Sequence, residues 1–350
     1  LASGFGYAIR TRPVRTSDPP DKLHAPFTEL APFSTLSNPF LMPMSTSPIR
    51  LPHRLQQLVE ACAREYLHPD GAPSIDFSLP LHEPAFNSAD SLSWRIFKNP
   101  VALFIGGITA VILELAEPRV CAGVWEHTRF REFPLHRLRN TGFAAMVTVY
   151  GPQSEARKMI SHIRQRHERI AGVTADGIAY RANDPELLDW VYATASFGFM
   201  EAYHAYVHAL AEKERDSYYA EAMPAAYLYG ASGAPDSQQG LEELLALTAP
   251  RLNASAALFE FLEIMQRRRL LPGHLFRLQP MLVRAAVELV PAALREKLGL
   301  GMAWRLHRWQ RSLLQRAAGF ADRLVIAEAP AAQSCRRLGL PEDFLYRARK

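Results

Sequence analysis

The segment MISHIRQRHERIAG, residues 159–172, sets a histidine where chemistry can use one. Ala156, Met159, Ile160, Ile163, His167 and Ile170 recur at three-and-four spacing and so share one helix face, while Arg157, Lys158, Arg164, Arg166, Glu168 and Arg169 take the others. The spacing therefore predicts that His167 faces inward. An imidazole sent into apolar surroundings needs a partner, which can be a buried hydrogen bond, a metal ion or a haem iron. Helical spacing alone leaves all three open. A second group, Glu201, His204 and His208 in EAYHAYVH, also lies on one helix face. Glu-x-x-His is the repeat used by carboxylate-bridged di-iron bundles, which need two such motifs and two further carboxylates. EYLH, from Glu65 to His68, is the candidate for the second, and it runs directly into Pro69.

The elements that must position these groups read as helices. Apolar periodicity predicts them over roughly 100–116, 118–130, 135–150, 153–171, 185–212, 214–228, 239–248, 253–269, 279–297 and 301–328. Pro152 opens the helix that carries His167 and Gly172 closes it, while Asp184 followed by Pro185 reads as an N-cap with proline at the first helical position. Earlier, Leu55, Leu58, Val59 and Cys62 mark an amphipathic helix between Pro52 and Tyr66, followed by a Pro/Gly/Asp-rich loop over 69–90. No run of alternating β-branched residues is long enough to anchor a sheet. The expected fold is all-α, a single bundle-like domain over 51–330 with its site between facing helices. Residues 1–50 read as a disordered Pro/Ser-rich arm, for which Met42 and Met44 are candidate starts, and 331–350 as a C-terminal tail.

Four stretches occur in order: SWRIFKNPVALFIGGITAVILELAEPRVCAGVWEHTRFREFPLHRLRNTGFAAM (93–146), the step from His167 to Gly172, YRANDPELLDWVYAT (180–194) and ERDSYYAE (214–221). This ordered set resembles the oxygenase family that includes the latex clearing proteins (rubber oxygenases) and the MpaB-type oxygenases, from about Ser93 to about Arg251, with a looser helical tail beyond. The resemblance implies a pocket for haem b with His167 as the axial ligand of its iron, in an apolar slot to which Ile163 and Ile170 contribute. It also implies a distal arginine and threonine, matching Arg137 and Thr141 in RLRNT, one helical turn apart and facing one way. A guanidinium held there would stabilise negative charge as an O–O bond breaks, or pair with a haem propionate. His127 in WEHTRF belongs to the same pattern, as a proton relay or as a satisfied core histidine.

The chain departs from the latex clearing proteins at Asn140, where they can offer a lysine as a sixth iron ligand. An amide is a poor ligand, so a lysine-capped resting state is not expected. Their general-base glutamate has no evident counterpart along the sequence. Trp190 and Tyr180 are expected to pack around the cofactor helix, and Tyr218 and Tyr219 to pack with a wet hydroxyl.

Composition bounds the remaining choices. With 350 residues and 48% hydrophobic content the chain can bury a large core. Its net charge of +5 is spread along helices, as at Arg164 to Arg169, Arg267 to Arg269 and Arg305 to Arg311, without interleaved stacking aromatics, which argues against a nucleic-acid partner. Three separated cysteines, Cys62, Cys121 and Cys335, make neither a disulfide framework nor a CxxC site and suit a reducing cytoplasm. Cys121 reads as a small core residue. The longest apolar run, Val101 to Leu113, is too short to span a bilayer and is followed by Glu114, while Gly106 and Gly107 within it suit close packing of a buried helix. Neither stable membrane insertion nor export is expected. No phosphate loop, nucleophile elbow or dinucleotide fingerprint is present.

The reading is a haem b dependent oxygenase that activates O2 and oxidises an apolar small molecule, with cleavage of an isoprenoid or lipid C=C bond as the reaction implied. A cytoplasmic address argues against polymeric rubber as the substrate. The alternatives are a non-haem di-iron oxidase on the Glu201/His204 helix and a haem-binding helical protein without turnover. Trp304 and Trp309 on the late helices suit a homodimer.

Overall fold

The computed structural model describes residues 47–52, 54, 56, 57, 60 and 75–347. The N-terminal arm up to residue 46, Cys62, the Glu65 to His68 motif and most of the helix expected between Pro52 and Tyr66 lie outside the described residues. Helices dominate: α1 Leu92–Phe97, α2 Pro100–Ala116, α3 Pro118–His127, α4 Pro134–Tyr150, α5 Gln153–His167, α6 Pro185–Tyr206, α7 Glu212–Tyr229, α8 Gln238–Thr248, α9 Ala256–Arg267, α10 Gln279–Leu289, α11 Ala292–Lys297, α12 Arg308–Arg323 and α13 Pro330–Arg337. The all-α expectation holds. Among the described residues the one sheet is a hairpin of β1 Ala171–Val173 and β2 Ala179–Arg181.

The centre of the molecule is α2. Asn99 caps it by accepting from the backbone N–H groups of Val101 and Ala102, with Pro100 pre-set at the first helical position. Its most extensive packing is against α6. The two helices meet at Gly106 and Gly198: a Cβ on Gly106 would lie 2.6 Å from the carbonyl oxygen of Gly198 and 2.7 Å from Cα of Phe199. Only hydrogen fits between these backbones. The expectation of a close-packed helix is therefore met by Gly106, while Gly107 faces only the Phe199 ring. Around this seam α10 and α12 complete the bundle.

Several boundaries differ from the periodicity reading. The segment 185–212 ends as a helix at Tyr206, and 279–297 breaks at Pro291, whose ring cannot continue the α10 ladder. The 301–328 segment begins its helix only at Arg308, after a short 3₁₀ turn over Met302–Trp304. The helix expected over 153–171 ends at His167, and Gly172 belongs to β1 opposite Tyr180. Its lack of a side chain is used there, since a Cβ would lie 2.6 Å from the Tyr180 hydroxyl. Asp184 and Pro185 open α6 as expected, but the Asp184 carboxylate accepts from the Arg181 N–H at 2.9 Å rather than capping the helix.

The C-terminal segment is no tail. Arg337 of α13 is fully buried and donates to the backbone oxygens of Glu83 (2.8 Å), Phe77 (2.7 Å) and Tyr150 (2.7 Å). These bonds tie the loop before α1 and the end of α4 to the chain terminus. Leu345 and Tyr346 are buried beyond it.

Candidate active site

His167 is the last residue of α5, where the chain leaves the helix through Glu168. Only Ala156 and Ile160 of the apolar stripe are fully buried, and Met159, Ile163, His167 and Ile170 keep partial access. The face points inward along its first two turns and opens at the histidine end. Burial is the main influence on the imidazole, and with the Arg137 and Arg166 guanidiniums it lowers its pKa below the ordinary 6.5, against an opposing contribution from the Asn183 side chain. The ring is therefore neutral at pH 7 and carries a lone pair, the form that binds metal.

Arg137 comes from α4 and acts on two groups at once. It lowers the His167 pKa and stabilises the carboxylate of Glu114 on α2. Three helices thus bring His167, Arg137 and Glu114 into one electrostatic cluster. Burial is the main influence on Glu114 and His167 and pushes the Glu114 carboxyl up to about 7. Glu114 nonetheless keeps some accessible surface, and Arg137 is exposed by area. Asn140 and Thr141, next along α4, are also exposed, and a Cβ on Gly142 would meet nothing within 4 Å.

The chain matches, over residues 94–323, the family described as ER-bound oxygenase mpaB/B'/rubber oxygenase, catalytic domain. The chain belongs to this family. It is an oxidoreductase of the oxygenase class, and the matched region runs past Arg251 to the end of α12. No curated protein and no solved structure matches it.

The other residues singled out along the sequence of this mpaB/rubber oxygenase family member lie on α3, α4 and α5 and just beyond α5. Thr141 sits one turn from Arg137, its hydroxyl donating to the Arg137 carbonyl at 3.0 Å. Ile163 and Ile170 are half-buried on the His167 side, and Ile170 packs against the main core. Asn140 is within 3.3 Å of His136 Nδ1, along its own helix. His127 is not a core histidine. It is exposed at the end of α3, with Nε2 3.1 Å from the Tyr180 hydroxyl, which in turn donates to Glu126 at 3.3 Å.

Trp190 and Tyr180 are buried, and the Trp190 indole donates to the Leu113 carbonyl at 3.2 Å, holding α2 next to Glu114. Tyr218 and Tyr219 are both buried, and the Tyr219 hydroxyl has no exposed surface. Burial raises the Cys121 thiol, which contacts the Ser255 hydroxyl at 3.6 Å, consistent with a core role.

The residues of the di-iron reading are engaged elsewhere. Glu201 pairs with Arg215 at 2.5 Å, and His204 Nδ1 accepts from the Leu210 N–H at 3.0 Å. His208 lies beyond the end of α6 and is exposed, so the shared face assumed for it does not exist. Glu114, by contrast, escaped the sequence reading. The available signal was a single carboxylate inside an otherwise apolar helix, Pro100–Ala116.

The donor set suits haem. His167 offers a neutral imidazole at the end of α5, and Arg137 and Arg166 supply cationic charge for carboxylates. Glu114, Arg137 and His167 come from α2, α4 and α5 respectively.

Proposed function

We propose that the protein is a haem b dependent oxygenase that oxidises an apolar, isoprenoid- or lipid-like small molecule, with oxidative C=C cleavage as the reaction to test. The observation that carries this reading is the electrostatic cluster of neutral His167, Arg137 and Glu114 in a chain of the mpaB/rubber oxygenase family. His167 would hold the haem iron, Ile163 and Ile170 would supply apolar contacts beside it, and Arg137 would hold a carboxylate of the group or developing negative charge. When bound, haem b supplies the activation of O2, which protein side chains cannot provide. Glu114 is suited to take and return a proton at its carboxylate oxygens, because a carboxyl poised near 7 changes state at little cost. Arg137 stabilises the deprotonated state. Thr141, one turn away, and His127, through Tyr180, are the remaining polar groups assigned to the site.

O2 and an apolar substrate are the partners of this proposal. A cytoplasmic address and a homodimer also belong to it: Trp309 is 63% exposed on α12, with Phe320 exposed further along. No single described helix is long and apolar enough to cross a membrane.

The test is the absorption spectrum of purified protein beside His167→Ala, with a pyridine haemochrome assay. A Soret band that is lost or strongly shifted in the variant is expected, while Arg137→Leu and Thr141→Ala should keep the band and lose turnover by about 100-fold or more. If no band develops even after haemin reconstitution, with iron still bound, the reading is wrong. Unchanged turnover in both distal variants would leave a haem protein without the proposed machinery.

A further inference from the structure

Beside the His167 ring, two buried polar atoms lack a hydrogen-bond partner: Nδ1 of His167 and Oδ1 of Asn183. Asn183 lies between β2 and Asp184, and its Nδ2 donates to the carbonyl oxygen of Arg164 at 3.1 Å. Arg164 is one turn before His167, and a helical side chain lies back over the turn that precedes it. The amide is therefore held at the level of the imidazole. The Ala182 N–H donates to the Ile170 carbonyl at 3.0 Å, pinning the same stretch to the residues that follow His167. With Nδ2 committed to Arg164, the part of the amide left for the ring is the acceptor.

We infer that Asn183 accepts the Nδ1 proton of His167 through its Oδ1 and so fixes the tautomer that leaves Nε2 as the lone-pair nitrogen. One hydrogen bond then satisfies both orphaned atoms. Asn183 is a positioning residue: it acts on the reaction only through the orientation and basicity of the histidine. A neutral amide in this place gives the ring less electron density than a carboxylate would, so the axial nitrogen is that of a plain imidazole. The hairpin acquires a purpose, because it returns the chain from the end of α5 to the level of His167. The consequence for an axial bond rests on the haem reading, whereas the tautomer does not.

The experiment therefore has two arms. In cofactor-free, full-length protein labelled with ¹⁵N-histidine, with His167→Ala used for assignment, long-range proton–nitrogen spectra should show His167 protonated at Nδ1. In Asn183→Leu, and in the smaller Asn183→Ala, that tautomer should give way to a mixture or to the Nε2-protonated form. A parent protein with its proton on Nε2, or folded variants with an unchanged tautomer, would overturn the inference. The parent measurement requires no variant to fold. In the haem-loaded protein, the iron–histidine stretching band should move in both variants and haemin affinity should fall about 10- to 100-fold. An unmoved band in both would equally overturn it. A parent that shows the Nδ1 tautomer but takes up no haemin would remove the haem reading and leave the role of Asn183 standing.

Discussion

Replacing Glu114 with glutamine tests whether burial governs the protonation of this carboxyl. In the folded chain the carboxyl is pushed from 4.5 up to about 7, burial being the larger influence and Arg137 opposing it. At about 1.4 kcal/mol per tenfold change in proton affinity, the full shift corresponds to about 3 kcal/mol. Glu114 keeps partial contact with solvent, and screening reduces the figure to about 2 kcal/mol. The folded protein holds this proton more tightly than the unfolded chain, so the contribution favours folding below pH 4.5. It is lost as pH rises through the window from 4.5 to about 7. Glutamine mimics the neutral acid and does not titrate. Urea unfolding of cofactor-free parent and Glu114→Gln should therefore give nearly equal stabilities at pH 4.5 and a variant about 2 kcal/mol more stable at pH 8. Other titrating groups cancel in the difference. A difference that stays flat between pH 5 and 8, or a variant less stable at pH 8, would refute the argument that burial governs this carboxyl, and with it the assignment of Glu114 as a proton carrier near neutral pH.

Two further outcomes concern the scaffold. Gly198→Ala drives a methyl group into the Gly106 carbonyl at the α2/α6 seam and should cost about 1–3 kcal/mol, read as a lowered urea midpoint, with loss of haemin binding because α2 carries Glu114. Arg337→Met removes the donors to the carbonyls of Phe77 and Glu83 and one of two donors to that of Tyr150, and should cost about 2–3 kcal/mol or more; limited proteolysis should then cut first between residues 75 and 91.

Much of this protein is written in local pattern. Proline at the first position of α2, α3, α4 and α6 marks where those helices begin, and three-and-four spacing identifies the face of α5 that carries His167. Arg137 and Thr141 face one way because they are one turn apart, whatever the rest of the chain does. Such features depend on neighbours within a few residues, so the sequence by itself determines them, and the ordered motifs determine the family.

Other features depend on which helices meet, and tertiary packing alone decided those. Glu114 looked like the polar end of an apolar run until α4 brought Arg137 to it. Glu201 and His204 looked like metal ligands until α7 supplied Arg215 and the turn after α6 supplied the Leu210 N–H. His127 had the composition of a core residue, yet α3 leaves it exposed beside Tyr180. The hairpin strands are three residues each, too short for a period-2 signal, and their pairing exists because Tyr180 can lie over Gly172. Arg337 read as tail because a buried arginine is tolerable only when several carbonyls converge on it, and that convergence comes from segments far apart in the chain. A residue's propensity is encoded next to it, whereas its electrostatic partner and its burial are set by the packing of distant helices.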